Sequence, residues 1–369
     1  MIAIERGIIS RWKIDTRFEN FLSKKADYSE KWKILYCLYY RIFDAKYYKK
    51  GLPMIKRLVE SKCCKNASKR VIRDMIYCLH RFGFSFDEYF SLELYNKNAD
   101  GRDKFISDKM RYDYYCLMNT QEGIKLLRDK GKTYDILRDS FGRECVAIYS
   151  KNDIIKFESF VNAHKKFVYK PIALDCGKGI KIYEGQNITN ELLFEEMISS
   201  GAFILEEVIV QSKKMQSLHP QSLNTVRVPT IRCSDGVHIF LPFFRMGRGD
   251  SIVDNAGAGG IFAAVDAESG VVSSKGVTEY GKGEYIFHPD TNKQILGFQL
   301  PDWEQAIELV KSLSNRIPSM KYIGWDIAHT ERGWVVVEAN GSGQFVSQIA
   351  DKTGHREELM ELLNKLEEV

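Results

Sequence analysis

The sequence predicts an α+β protein with mostly antiparallel strands, preceded by an α-helical N-terminal lobe. Three observations carry this. Over residues 1 to about 115 the apolar residues recur at helical spacing. From about residue 117, short β-branched and aromatic segments alternate with amphipathic stretches. The strands "YIGWDIAH" and "GWVVVEAN" flank a tight turn at Thr330–Gly333, and "ALDCGKGIKIY" reads as a glycine-containing hairpin.

Taken in order, "EKWKILYCLYYRIFDAKYY", "PMIKRLVESKCC" and "SKRVIRDMIYCLHRFG" are helices, with Pro53 suited to a first turn and Gly83 to a stop. "EGIKLLRDKGKTYDILRDSFG" is helix-like and "RECVAIY" a short strand. "KKFVYKP" is a buried strand ending at Pro171, "ELLFEEMISS" a helix and "AFILEEVIV" a strand. "SLNTVRVPTIRC" and "VHIFLPFFRMG" follow as strands, then the glycine-rich "DNAGAGGIFAAVD". "DWEQAIELVKSLSNRI" and "HREELMELLNKLEE" are helices. At 369 residues the chain is long for one core, so two or more lobes are expected.

Composition narrows the class. Apolar content of 44% and charged content of 28% are ordinary for a globular protein. No apolar run approaches the roughly 20 residues of a membrane span, and the start "MIAIERGIISRWK" has no secretory core. A cytoplasmic protein is expected. Its eight cysteines include no C-x-x-C pair and no histidine at zinc-ligand spacing, so free thiols are expected and zinc is not. Of the net charge of +5, residues 1–100 hold +9, leaving −4 on the remainder. A basic, aromatic-rich segment suits an acidic polymer or the inner face of a membrane, or is a solvated helical surface. No nucleic-acid motif is present.

The chemistry concentrates at the chain's last hairpin. With the turn centred on Arg332, Asp326 lies opposite Glu338, and Asn340 follows two residues on, so all three share one face. A bulge would shift this register by one. Two carboxylates and an amide oxygen are hard donors that suit magnesium, which usually completes its shell with phosphates. A carboxylate pair satisfied by arginines is the alternative. A phosphate-binding half is therefore expected elsewhere. Lys170 ends a strand, and Gly177 and Gly179 in "CGKGI" let backbone N–H groups approach an anion, although a glycine turn alone is also an ordinary hairpin.

The order of these segments resembles the ATP-grasp fold: a lysine–proline strand, a glycine turn, the "LEEVIV" strand, arginine-bearing strands, then Asp and Glu-x-Asn on a hairpin. More narrowly, "SLNTVRVPT", "DNAGAGGI", "HPDTNKQILGFQLPDW" and "VVEANGSG" resemble the sugar-transfer-associated ATP-grasp group, over about residues 117 to 355. The resemblance implies two α/β subdomains, residues 116–210 and 211–355, whose antiparallel sheets grip ATP. A basic helical lobe (1–115) precedes them and a helix (356–369) follows. By position, Lys170 would touch the α- and β-phosphates, with the turn around Gly177 and Gly179 covering them. Lys130 matches an earlier family lysine, with Lys132 a competitor. Glu206 would stand beside adenine and its sugar, the backbone of Glu207 and Val208 pairing the base. Asp326, Glu338 and Asn340 would hold two Mg2+ ions, Glu338 bridging them.

Arg227 and Arg245 face the same cleft if strand alternation holds, where a guanidinium can grip a phosphate or carboxylate. Arg248 is a weaker candidate. Asn255 and the run Gly257–Gly260 form a loop near the transferred phosphate. His219, His288 and Asp290 border the acceptor pocket, and Cys176 packs beside the glycine turn. The implied activity is carboxylate–amine ligation on a uronic-acid-type sugar of a capsule or O-antigen precursor, with an amino acid or amine as second substrate and glycosyltransferases as partners. A phosphotransferase on the same fold, or a nucleotide-binding scaffold without turnover, stays open at this point.

Overall fold

Asp129 splits what the sequence presents as one helical stretch. One helix runs Gln121–Arg128 and the next Lys130–Leu137. Between them Asp129 leaves helical geometry (φ −90°, ψ 99°), and its carboxylate accepts the Lys132 N–H at 3.1 Å. That cap satisfies one of the donors a helix start leaves open. Gly131 lies in the new first turn, where a Cβ would fall 2.3 Å from Tyr149 Oη and 2.5 Å from Ala147 Cβ. Only glycine lets this helix lie so close to the strand Cys145–Ile148, here β1.

The computed structural model describes residues 16–43, 52–53, 55–59, 68–172, 174, 179–185, 188–251, 254, 259–278 and 283–366. The chain divides into two compact units, one of residues 1–114 with 352–358, the other of 115–351 with 359–369. Among the described residues no helix is long and apolar enough to cross a membrane.

In the first unit, the helices Thr16–Ala26, Glu30–Phe43 and Ser68–Phe82 bury an aromatic core that includes Tyr36, Tyr77, Phe82 and Phe84. Asp74 sits inside it, held by Arg102 at 2.9 and 2.6 Å, by Lys33 at 3.0 Å and by Tyr89 at 2.8 Å. Burial alone would raise this carboxyl. Arg102 and Lys33 outweigh it and hold the pKa below the ordinary carboxylate range.

The second unit contains two antiparallel sheets. In the smaller, β1 is joined by β2 (Lys166–Pro171), β3 (Lys181–Glu184) and β4 (Phe203–Glu207) in the order β1-β4-β2-β3. Alternation divides its residues. Phe167, Tyr169, Phe203 and Leu205 pack on the helices Ile154–Ala163 and Asn190–Ser199. Lys170 and Glu206 fall on the opposite face. The strand expected over "AFILEEVIV" stops at Glu207, the last residue that pairs with β2.

The larger sheet comprises β5 (Thr225–Cys233), β6 (Gly236–Ile239), β7 (Phe243–Met246), β8 (Ile261–Ala264), β9 (Gly276–Val277), β10 (Glu284–Tyr285), β11 (Tyr322–Thr330) and β12 (Gly333–Asn340). Its order is β10-β9-β8-β7-β5-β11-β12, with β6 pairing the far end of β5. One face is mostly apolar. Val226, Val228, Phe244, Met246, Ile323, Trp325 and Ile327 bury against the helix Trp303–Ser314. The Trp325 indole N–H finds Thr230 Oγ1 at 3.0 Å and Ser314 Oγ at 3.1 Å, as a buried tryptophan requires. The other face carries Phe243, Phe262 and Ala264 beside Arg227, Arg245 and Asp326. That polar face is where function is sought.

Gly142 sets the approach into β1. It has φ +59°, and a Cβ would fall 2.4 Å from Val335 Cγ1. Left-handed backbone costs a substituted residue about 1–2 kcal/mol and overpacking about 1–3 kcal/mol. Gly142→Ala is therefore expected to lower unfolding free energy by about 2–5 kcal/mol, read from the urea midpoint. An unchanged midpoint would contradict this packing.

Candidate active site

The β11–β12 hairpin reaches its register by two departures that cancel. Its turn is the two residues Glu331 and Arg332, so Thr330 pairs Gly333 and Ile327 pairs Val336. The expected centre on Arg332 is therefore half a residue off. A bulge between Asp326 and Ile327 then inserts Val337 without a partner on β11, and beyond it Asp326 pairs Glu338 and Gly324 pairs Asn340. The bulge, expected to spoil the alignment, creates it.

Asp326 is almost fully buried, 3% exposed, and its charge is matched twice. Arg227, directly across on β5, donates through Nε to Oδ1 and through Nη2 to Oδ2 at 2.9 Å. Arg245 on β7 is opposite Thr225, two residues from Arg227, so alternation brings it to the same face. Its Nη2 lies 2.9 Å from Asp326 Oδ1. Burial would raise the Asp326 carboxyl, and the two guanidiniums outweigh it and hold the pKa below the ordinary range. Asn340 Nδ2 adds a bond to Oδ2 at 3.3 Å.

A further carboxylate completes this patch and was not anticipated from sequence. Asp254 accepts from the Thr225 N–H at 2.9 Å and from the Thr225 hydroxyl, and lies 3.7 Å from Arg245 Nε. Burial pushes its pKa up, against the pull of Arg245. Its signal in the sequence is an aspartate at the mouth of the glycine-rich run, next to Asn255.

On the smaller sheet Glu206 is the hub. Its Oε2 accepts from Lys170 Nζ at 2.7 Å and from Arg143 Nη2 at 2.7 Å and Nε at 3.0 Å. Burial would raise this carboxyl, yet Arg143 and Lys170 hold its pKa at about 2. The nucleotide-hinge residue expected here is thus engaged by two cations. Arg143, buried ahead of β1, has no motif around it; its partners on β4 and β12 lie 63 and 193 residues along the chain. Glu207 donates its backbone N–H to the Glu144 carbonyl at 2.9 Å. That amide is occupied, so of the backbone expected to pair the base it is the Glu207 carbonyl and Val208 that are left.

The two earlier lysines separate. Lys130 Nζ reaches Glu338 Oε1 at 3.5 Å and the Leu174 carbonyl at 3.0 Å, with its side chain 15% exposed. Lys132 points away, 64% exposed and paired with Asp129. The split at Asp129 places Lys130, not Lys132, beside Glu338. His219 and His288 are buried braces: His219 Nε2 meets the Gly249 carbonyl and His288 Nε2 the Gly247 carbonyl, each at 2.9 Å. Asp290 accepts the Gly249 N–H at 2.7 Å. Together they hold the chain just past β7, where Arg248 donates to Tyr285 Oη at 3.0 Å. Cys176, Gly177, Asn255, Gly257 and Ala258 lie outside the described residues. Gly179 has φ +75° and packs against Pro171.

Two carboxylates and an amide on adjacent strand positions fit a divalent cation with oxygen chemistry. With Asp326 matched by two arginines, the carboxylate with charge to spare is Glu338. Its one ion pair among the described residues is the 3.5 Å contact with Lys130. At the far end of β5, the turn Ser234–Asp235 folds His238 back over Cys233, so Cys233, Asp235 and His238 come within ligand reach of one another. This corrects the expectation that no histidine stands at ligand spacing from a cysteine. Asp235 is held there by His238 at 2.6 Å and Lys365 at 2.9 Å.

Two antiparallel sheets, one offering lysines and the other a carboxylate-bearing hairpin, define the ATP-grasp class. The chain belongs to the sugar-transfer associated ATP-grasp family, whose model matches residues 109–364. No curated protein matches it in sequence. Among solved structures it is similar to the ATP-grasp ligase PsnB, complexed with a phosphomimetic variant of a minimal precursor, Mg and ADP. That match has 14% identity and a TM-score of 0.40, covering 67% of this chain and 61% of that one. An N5-carboxyaminoimidazole synthetase from Staphylococcus aureus, complexed with ADP, matches with 10% identity and a TM-score of 0.42, covering 68% and 55%. A D-alanine–D-alanine ligase from Bacillus anthracis matches with 11% identity and a TM-score of 0.41, covering 69% and 73%.

Proposed function

We propose that this chain is an ATP-dependent carboxylate–amine ligase that forms an amide through an acyl phosphate, joining an amino acid or other amine to a uronic-acid-type sugar. The observation that carries the reading is one juxtaposition. Lys130 meets Glu338 at 3.5 Å on the face where Arg227 and Arg245 hold Asp326 beside Asn340, and Lys170 holds Glu206, whose other partner, Arg143, binds the Val336 carbonyl of the same hairpin. Family membership supports ATP as the phosphoryl donor. The sugar rests on the family's description, and the capsule or O-antigen setting and any glycosyltransferase partner on the sequence resemblance and the basic first segment, which suits an acidic acceptor near a membrane's inner face.

In this reading Lys170 and Lys130 hold the phosphates, and the Glu207 carbonyl and Val208 meet the adenine. Asp326, Glu338 and Asn340 would hold Mg2+, which would supply charge neutralisation for the phosphoryl group in transfer. The acceptor carboxylate attacks the γ-phosphorus; an O–P bond forms, the bond to the β-bridging oxygen breaks, and ADP leaves. The amine then attacks the acyl carbon, the C–N bond forms, and inorganic phosphate departs as the ammonium proton is lost. Arg245 and the backbone of the run through Gly259 and Gly260 face the charge that develops. Positioning and exclusion of water from the acyl phosphate are the protein's main contributions.

The test is product analysis with MgATP and a panel of uronic acids and amino acids. The reading expects ADP and inorganic phosphate in equal amounts with an amide. A stable phosphorylated sugar without free phosphate would assign a phosphotransferase instead, and nucleotide binding without turnover across the panel would favour a scaffold.

A further inference from the structure

Arg143 spans the two sheets, and the atoms it touches are the ones on which each half of the site depends. At one end its Nε and Nη2 hold Glu206 Oε2 at 3.0 and 2.7 Å, the same oxygen that Lys170 reaches at 2.7 Å. At the other end Nη1 donates to the Val336 carbonyl at 2.6 Å and Nη2 to the Val337 carbonyl at 3.4 Å. Val337 is the bulge residue with no partner on β11, and the next residue is Glu338. One planar guanidinium therefore fixes both the carboxylate that competes for Lys170 and the bulge that brings Glu338 opposite Asp326. A further contact, from Nη1 to the Phe141 carbonyl at 3.0 Å, anchors it beside β1.

We infer that Arg143 is a positioning residue that couples nucleotide binding on the smaller sheet to metal binding on β12; this rests on the nucleotide reading of the site. When a phosphate draws Lys170 away, Glu206 keeps Arg143 as its counterion, so no buried charge is left unpaired. Glu206 then bears on the guanidinium alone, while the other edge of the guanidinium still sets the backbone ahead of Glu338. Metal on Glu338 and phosphate at Lys170 thereby favour the same position of one side chain, and by linkage each ligand tightens the other.

Arg143→Lys separates coupling from mere support. An ammonium keeps a positive charge for Glu206 but is a point charge, unable to span the carboxylate and two carbonyls. The probes are ADP alone, Mg2+ alone and both together, followed by calorimetry on the full chain. In the wild type Mg2+ is expected to tighten ADP by about 10-fold or more, and ADP to tighten Mg2+ by the same factor. In Arg143→Lys that factor is expected to fall to about 2-fold or less, while metal-free ADP affinity stays within about 3-fold. Amide exchange at Val337 and Glu338 in the ligand-free variant is expected to quicken, with exchange in β7 and β8 unchanged. A variant that keeps the full wild-type factor overturns the coupling, as does one that weakens both affinities equally with exchange unchanged. A wild type that binds no ADP at all would overturn the nucleotide reading itself, an outcome distinct from either.

Discussion

Glu338→Gln is expected to lower ATP turnover by about 10²–10⁴-fold while leaving the urea midpoint close to that of the native chain. Asp326→Asn is expected to lose activity and stability together. The two residues are partners across one hairpin, yet their surroundings differ. Glu338 is 36% exposed at its side chain and, among the described residues, bears a single ion pair, at 3.5 Å. Exposed pairs of this kind contribute about 0–1 kcal/mol. Asp326 lies buried between Arg227 and Arg245, so neutralising it leaves the largely buried Arg227 without its carboxylate and Arg245 with Asp254 at 3.7 Å. Breaking a buried pair on one side costs about 3–5 kcal/mol. Paired measurements of turnover and urea unfolding on both variants check this. Equal stability losses would mean that the Asp326 cluster is more open to water than its burial implies.

The Glu206 ion pairs are expected to set the acid limit of the second unit. Unfolded, this glutamate titrates at about 4.3; folded, Arg143 and Lys170 hold it at about 2. The folded value is the lower one, so the unfolded chain binds more protons across this window. The stabilisation is fully present above about pH 4.3 and is lost as pH falls through the folded value. It amounts to on the order of 3 kcal/mol. Glu206→Gln removes the pH-dependent part and strands two cations, so at pH 7 the variant is expected to unfold about 3–5 kcal/mol more easily. The gap between variant and wild type should narrow as pH drops toward 2, measured by urea unfolding along a pH series. A constant gap would show that Glu206 is not ionised in the folded protein.

How far the site was legible depended on whether its partners are near or far in sequence. The pairing of Asp326 with Glu338 was readable because a tight turn and period-2 alternation act over a dozen residues. It was reached on a turn centre that was off by half a residue, made good by an unseen bulge. The faces of β5 and β7 were likewise readable from alternation, which brings Arg227 and Arg245 to one carboxylate. Lys130 stood ahead of its competitor Lys132 on the resemblance alone, since the geometric choice depends on a helix break at Asp129 and on Gly131 meeting Tyr149. Arg143 was invisible. Nothing local marks an arginine whose partners are a carboxylate on β4 and two carbonyls on β12. The same contacts explain why Glu206 sits in an ion-pair hub. The alternative weighed for the hairpin, carboxylates satisfied by arginines, describes Asp326 in the structure and leaves Glu338 as the charge to be matched by a cation.

The measurement that most directly tests the central claim is trapping of the acyl phosphate. The full chain is incubated with MgATP, hydroxylamine and uronic acids, without amine, and hydroxamate is scored against ADP, with Glu338→Gln alongside. The account predicts hydroxamate that requires the carboxylate, matches ADP one to one and disappears in the variant. ADP formation that depends on the sugar but yields no hydroxamate would contradict carboxylate activation and place the phosphoryl group on a hydroxyl instead.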